Sequence, residues 1–180
     1  MTDESRVRDY DTNDTLLDGG TIRVRAIHPA DREKLLQHFQ SLSPESVYFR
    51  FFGPKKTLSD QELSRLSDID YHDQVGLIAT LKAGNDERII GVGRYFAAGA
   101  RLGQQRTAEV AFAVLDEYQG HGIGTILLKH LSAIARAQGI TEFTANVLGS
   151  NHKMIEVFES SGFSVRQRFD SGTIHLSFTI

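Results

Sequence analysis

One carboxylate and one glycine-rich turn carry the chemistry legible in this chain. Glu109 lies within Ala108-Glu109-Val110-Ala111-Phe112-Ala113-Val114, a largely apolar run of strand length interrupted by a single charge. The run leads into Gln119-Gly120-His121-Gly122-Ile123-Gly124, after which residues 125–138 carry apolar side chains at helical spacing. Glycines let a backbone turn sharply and approach a ligand closely. The first helical turn presents N–H groups without partners, backed by the positive end of the helix dipole. A strand, such a turn and a helix form an anion cradle, and phosphate is its natural guest.

Spacing narrows the kind of phosphate. A P-loop requires Gly-Lys followed by Ser or Thr, whereas Gly124 is followed by Thr125 and Ile126, with no lysine to reach a terminal phosphate. The dinucleotide fingerprint begun at Gly120 needs glycine where Thr125 stands, and begun at Gly122 needs it where Leu127 stands. What remains is Gln119-x-x-Gly122-x-Gly124. A bare pattern of this kind also suits a plain strand-to-helix turn, so the surrounding elements decide.

Residues 1 to about 14 are polar and without periodicity, which reads as a mobile lead-in. Asp18-Gly19-Gly20 turns the chain into an alternating strand at residues 21–27. Three helical pieces follow: one begun at His28-Pro29-Ala30-Asp31 with Leu35, Leu36, Phe39 and Leu42 on one stripe, one begun at Ser43-Pro44, and one opened by the capping box Ser59-Asp60-Gln61-Glu62. Within the second, Tyr48-Phe49-Arg50-Phe51-Phe52 reads as core aromatics around a solvated arginine. Residues 74–81 and 88–96 form a hairpin about Ala83-Gly84-Asn85-Asp86, and a glycine-containing loop at 98–105 leads to the Glu109 strand. After the cradle helix, whose Leu127, Leu128, Leu131, Ile134 and Ala135 face inward, Gly139 ends the helix and residues 140–147 form a strand. Strand, helix and strand imply a right-handed parallel crossover. A helix from Ser150-Asn151-His152 to Phe158, stopped by Gly162, and a last hairpin of residues 163–166 and 174–178 complete the chain.

Composition bounds the function. The 180 residues, 40% hydrophobic and 24% charged, suit one domain at 20–180 behind a flexible segment at 1–19. With 20 basic and 23 acidic residues the net charge is −3, so no global field recommends nucleic acid or an anionic membrane as partner. Cysteine is absent, which removes thiol nucleophiles and thiolate metal sites, and the histidines show no metal-ligand spacing. No run has membrane-spanning length and the N-terminus lacks the apolar segment of a signal peptide, so a cytoplasmic location is expected.

With this order of elements around it, Gln119-x-x-Gly122-x-Gly124 resembles the pyrophosphate-binding signature of the GNAT superfamily of acyl-CoA-dependent N-acyltransferases. Asn151 through Met154, Phe158 and Gly162-Phe163 is similar to a second block of that family, and the likeness spans residues 20–180. More narrowly, residues 43–52, Asp70-Tyr71 and Ala108-Glu109-Val110-Ala111-Phe112 look like the acyltransferase domain of bacterial Pat-type protein lysine acetyltransferases. In that group the domain is often fused to an acyl-CoA-synthetase-like or cyclic-nucleotide-binding domain, for which these residues hold no room.

The resemblance implies an α/β (α+β) GNAT fold: a central mixed, mostly antiparallel twisted sheet with a parallel crossover at the acetyl-CoA site, flanked by helices. It implies acetyl-CoA as acyl donor and Glu109 as the base that deprotonates the acceptor amine, through a water. Backbone groups of Phe112, Ala113 and Val114 would pair with the pantetheine arm like an added strand. Gln119, Gly120, His121, Gly122, Ile123, Gly124 and Thr125 would hold the pyrophosphate by main-chain N–H, with His121 at the rim. Asn151 would reach the pantetheine, or else serve only as a helix N-terminal residue. Phe158 departs from the tyrosine with which many members protonate the leaving thiolate. The expected acceptor is a lysine of a protein, an acyl-CoA synthetase among the candidates, which an open acidic groove around Asp68, Asp70, Asp73 and Glu109 would suit. A small amine in a closed pocket is the rival acceptor, and an acyl-CoA sensor without turnover is the rival class.

Overall fold

The computed structural model describes residues 3–97 and 105–180, so the expected loop at 98–105 lies almost wholly outside the described residues. In chain order the elements are α1 (Asp3–Arg8), β1 (Asp11–Thr15), β2 (Thr21–Ala26), α2 (Arg32–Gln40), α3 (Pro44–Phe51), α4 (Asp60–Ser67), β3 (Gln74–Ala83) and β4 (Asp86–Ala97), followed by β5 (Thr107–Val114), α5 (Ile123–Ala137), β6 (Glu142–Leu148), α6 (His152–Glu159), β7 (Arg166–Asp170) and β8 (Thr173–Thr179). One eight-stranded sheet runs in the order β1-β2-β3-β4-β5-β6-β8-β7. Every neighbouring pair is antiparallel except β5 and β6. This is the expected mixed sheet with one parallel crossover.

Local chemistry starts the helices where the sequence marks them. Ser43 Oγ accepts from the Ser46 N–H at 3.1 Å with Pro44 in the first turn, and Ser59 and Glu62 exchange both bonds of a capping box. The two faces of the sheet then separate by parity. A side chain at Gly91 or Gly93 of β4 would run into Ile123 or Leu127 of α5, whereas Val92 and Arg94 between and beyond them line a small cavity with Leu35 of α2, Arg50 of α3 and Leu66 of α4. Because side chains alternate along a strand, α5 lies on one face and α2, α3 and α4 on the other. The α5 side buries Leu127, Leu128, Leu131, Ile134 and Ala135.

The other face is braced by a buried ion network. Arg25 of β2 donates to both carboxylate oxygens of Asp31 at 2.7 and 2.8 Å and to Glu87 of β4, tying the turn before α2 to the sheet. Burial opposes the Arg25 charge, but these carboxylates outweigh it and hold the guanidinium charged.

Three elements differ from the reading of the sequence. Residues 3–8, read as part of a structureless lead-in, form the short helix α1. Residues 11–15, read as part of the same lead-in, form an edge strand in register with β2. All five are polar, so no periodicity marks them. The strand is defined by its ladder and by α5, where His130 Nδ1 bonds Tyr10 OH at 2.6 Å and Nε2 meets Asp14 at 3.0 Å. The last hairpin begins at Arg166 rather than 163. Every residue of β7 is exposed, so the alternation that marks a half-buried strand is missing. Among the described residues no helix is long and apolar enough to cross a membrane.

Gly91 sets how closely the start of α5 can approach β4, since a Cβ there would stand 2.7 Å from Ile123 Cγ2. Gly91→Ala is expected to cost about 1–3 kcal/mol, read as a thermal midpoint lower by several degrees, and to weaken acetyl-CoA binding by displacing the first turn of α5.

Candidate active site

The parallel pairing of β5 with β6 covers only Thr107↔Glu142, Ala108↔Phe143 and Glu109↔Thr144. Beyond it β5 stays in register with β4 as far as Val114, while β6 stays in register with β8 as far as Leu148. Two strands that keep their outer partners and lose each other open a wedge. A cleft of about 610 Å³ occupies it, walled by β5, β6, α3, the first turn of α5 and the length of α6.

Of the residues expected to hold the donor, Phe112, Ala113, Val114, Gln119, Gly120, Gly122, Ile123, Gly124, Thr125 and Asn151 all line this cleft. His121 does not. Its Nδ1 faces Asp18 Oδ2 at 3.1 Å and its carbonyl accepts from the Leu17 N–H at 3.2 Å. The turn backs onto the segment before β2, and Leu17, 81% exposed, contributes to the cleft.

Gly122 and Gly124 of the cradle are required for different reasons. Gly122 caps α5 at φ 88°, a left-handed conformation that side chains rarely adopt. Gly124 is helical, and a Cβ there would meet Val157 Cγ2 at 3.0 Å, so its missing side chain admits α6. The first α5 bond runs from the Ile126 N–H to the Gly122 carbonyl at 2.9 Å. The amides of Ile123, Gly124 and Thr125 therefore have no helical partner. Gln119 stiffens the approach: its Nε2 donates to Val114 O and Ser46 Oγ, both at 3.1 Å, and its Oε1 accepts from Lys153 Nζ at 2.9 Å. Lys153 thus brings a cation to the end of the cleft that holds Gln119. Its position in the first turn of α6 carries no motif, and nothing in the sequence marked it. Asn151 caps α6 through Oδ1 and the Met154 N–H at 3.2 Å.

Glu109 stands at the apex of the wedge, exposed, on the face shared with its register partner Phe96 and with Arg94. Its Oε1 accepts from Asn146 Nδ2 at 3.0 Å. Arg50, read from the sequence as solvated, is half-buried and lines the cleft with Phe49 and Phe52. Burial lowers the pKa of its guanidinium, and the negative charge of Glu109 works against that shift. Burial, and then the like charge of Arg50, bring Arg94 down to about 10. The acidic groove that would suit a protein lysine is not assembled. Of Asp68, Asp70, Asp73 and Glu109 only Glu109 lines the cleft; Asp73 pairs with Arg106, and Asp70 accepts from the backbone of His72 and Gln74. Phe158 is 1% exposed, its ring against those of Phe112 and Phe178.

A cleft between diverging strands, with a helix N-terminus at one end and a carboxylate at the other, suits an elongated ligand with an anionic group at the helix end. The sequence model of the acetyltransferase (GNAT) family matches residues 39–163, and the chain belongs to that family. It is 32% identical over 160 residues to the acetyltransferase PA5475 of Pseudomonas aeruginosa, covering 89% of this chain and 84% of that protein. It is 34% identical over 152 residues to the acetyltransferase Pat of Mycolicibacterium smegmatis, covering 84% of this chain and 43% of that longer relative. The crystal structure of the GNAT domain of S. lividans PAT superposes with a TM-score of 0.86 at 39% identity, covering 94% of this chain and 97% of that domain.

The cleft wall that carries Arg50 depends on Asp116, which accepts from the Ser43 N–H at 2.9 Å, Ser43 Oγ at 2.7 Å and Ser46 Oγ at 2.8 Å. Burial raises the Asp116 pKa, but these bonds outweigh it and hold the carboxyl below its usual value. With the folded value depressed, the tie is complete above the ordinary carboxylate range and is lost as pH falls through the depressed value. Asp116→Ala is expected to speed amide hydrogen exchange in α3 about tenfold at neutral pH, roughly one charge-assisted hydrogen bond. In the wild type the same loosening should appear only in acid.

Proposed function

We propose that this chain transfers the acetyl group of acetyl-CoA to a lysine side chain of a protein, with Glu109 as general base. The observation that carries the reading is an exposed carboxylate at the apex of the wedge, beside the part of its sheet face, over β6, β8 and β7, that no helix covers among the described residues. On that face β6, β8 and β7 present Asn146, Arg166 and Arg168 to solvent and Thr144, His175 and Ser177 half-exposed. An open face suits a protein surface better than an enclosed small amine. The 39% identity to the GNAT domain of S. lividans PAT accords with the resemblance to Pat-type protein lysine acetyltransferases drawn from the sequence.

The residues present fit the donor. The amides of Ile123, Gly124 and Thr125, with Lys153 beside them, suit a pyrophosphate. The edge of β5 from Phe112 to Val114, which has lost β6, suits an extended amide arm lying alongside it as a strand. When bound, the thioester supplies the activated acetyl carbon. A lysine ammonium with a pKa of ~10.4 is protonated at neutral pH, so Glu109 takes its proton through a water. A main-chain N–H of the 112–114 segment supports the charge developing on the carbonyl oxygen. Phe158 cannot donate a proton to the leaving group, and a thiol with a pKa of ~8.5 leaves tolerably as thiolate.

Release of CoA from acetyl-CoA tests the proposal, with wild type and Glu109→Gln offered proteins, an acyl-CoA synthetase among them, and a panel of small amines. Turnover is expected with protein, falling about 10²–10⁴-fold in the variant while acetyl-CoA affinity stays within about twofold. Turnover with small amines alone would transfer the assignment to a small-molecule acetyltransferase, and binding without turnover on either panel would make the chain a sensor.

A further inference from the structure

Glu109 is a long side chain on an exposed strand position, and the bond that orients it comes from the opposite lip of the cleft. Asn146 lies two residues beyond Thr144, the last partner of Glu109 in the parallel ladder, and so projects on the same face of the sheet. Its Nδ2 reaches back across the opening wedge to Glu109 Oε1 at 3.0 Å. A side-chain amide turned by half a circle would offer its oxygen instead, setting acceptor against acceptor. What prevents this is a third strand. His175 of β8 is the register partner of Asn146, and its Nδ1 lies 2.5 Å from Asn146 Oδ1. An amide oxygen at that distance needs a hydrogen from its neighbour, so the proton belongs on Nδ1 of His175. The other ring nitrogen faces Asp170 Oδ2 at 4.0 Å.

We propose that His175 is a positioning residue for acetyl transfer, locking the Asn146 amide so that Nδ2 points at Glu109 and holds its carboxylate over the apex of the wedge. The role rests on Glu109 being the general base. It is a matter of orientation and involves no proton relay, because Nδ1 donates in both the neutral Nδ1–H form and the imidazolium. The groups that face Glu109 are Phe96 from β4, Thr144 and Asn146 from β6 and Arg50 from α3. Of these, only Asn146 forms a hydrogen bond to Glu109 among the described residues. A base held in one place does not have to be reordered at each turnover.

The test compares CoA release from acetyl-CoA, with an acyl-CoA synthetase as acceptor, for Asn146→Ala, His175→Ala, the double variant and His175→Asn, with acetyl-CoA binding measured in each to verify the fold. Each single alanine variant is expected to lower kcat about tenfold with KM for acetyl-CoA within about twofold, since the 112–114 edge and the cradle are untouched. The double variant should be no slower than Asn146→Ala, because His175 acts only through Asn146. His175→Asn, whose amide nitrogen falls near Nδ1, should recover most of the rate. Independently of any acceptor, ¹⁵N NMR of the neutral His175 ring should show the Nδ1–H tautomer in the wild type and its loss in Asn146→Ala. Losses that multiply in the double variant, an unchanged kcat in His175→Ala, or an Nε2–H tautomer in the wild type would each overturn the role. Full turnover by Glu109→Gln would instead remove the base itself, so the two failures are distinguishable.

Discussion

Two strands that stop bonding to each other after three residues govern this molecule. Backbone N–H and C=O groups removed from a ladder require other partners, and between β5 and β6 those partners have been withdrawn along the edge that faces the cleft. The wedge persists because each strand is held from outside: β5 by β4, and β6 by β8. Its base is filled by Phe158, whose ring lies 6.0 Å from that of Phe112 on one side and 5.7 Å from that of Phe178 on the other. The residue that departs from the expected tyrosine thus acts as a packing wedge between the halves of the sheet.

Charge divides along the same opening. At one end lie the uncapped amides of α5 and the Lys153 ammonium, held by Gln119. At the other, Glu109 stands with the half-buried guanidinium of Arg50 in its field. Burial and the like charge of Arg50 both work against the Arg94 charge, while the Glu109 carboxylate opposes the effect of burial on Arg50 and so acts as the counter-ion of that corner. Asp116 secures the wall from which Arg50 projects, through Ser43 and Ser46 at the start of α3. The cleft's position, shape and polarity therefore come from separate elements that meet only at its rim.

Close approach supplies the remaining constraint. Without Cβ atoms at Gly91, Gly93 and Gly124, α5 can settle on β4 and α6 can settle on α5. The free amides of the first α5 turn reach the mouth of the wedge for that reason. The glycine pattern read as a ligand motif also serves packing at Gly124 and conformation at Gly122.

Local pattern was enough for much of this. The cradle, the order of elements from β2 onward and the parallel crossover are legible in period, capping and turn chemistry, because each depends on residues a few positions apart, whereas Glu109 was singled out as a base by the family resemblance. Polar edge strands were not legible, since β1 and β7 carry no apolar alternation and exist only through their neighbours. The surroundings of Glu109 were equally hidden. Asn146 is 37 residues away from Glu109 and His175 a further 29 away from Asn146, and neither stands in a motif. Arg50 looked like a solvated helix charge, and Asp73 like one side of an acidic groove, until folding brought α3 over the cleft and Arg106 beside Asp73. Short-range chemistry identifies which groups can act, whereas hydrogen bonds and burial between distant segments decide what each of those groups faces.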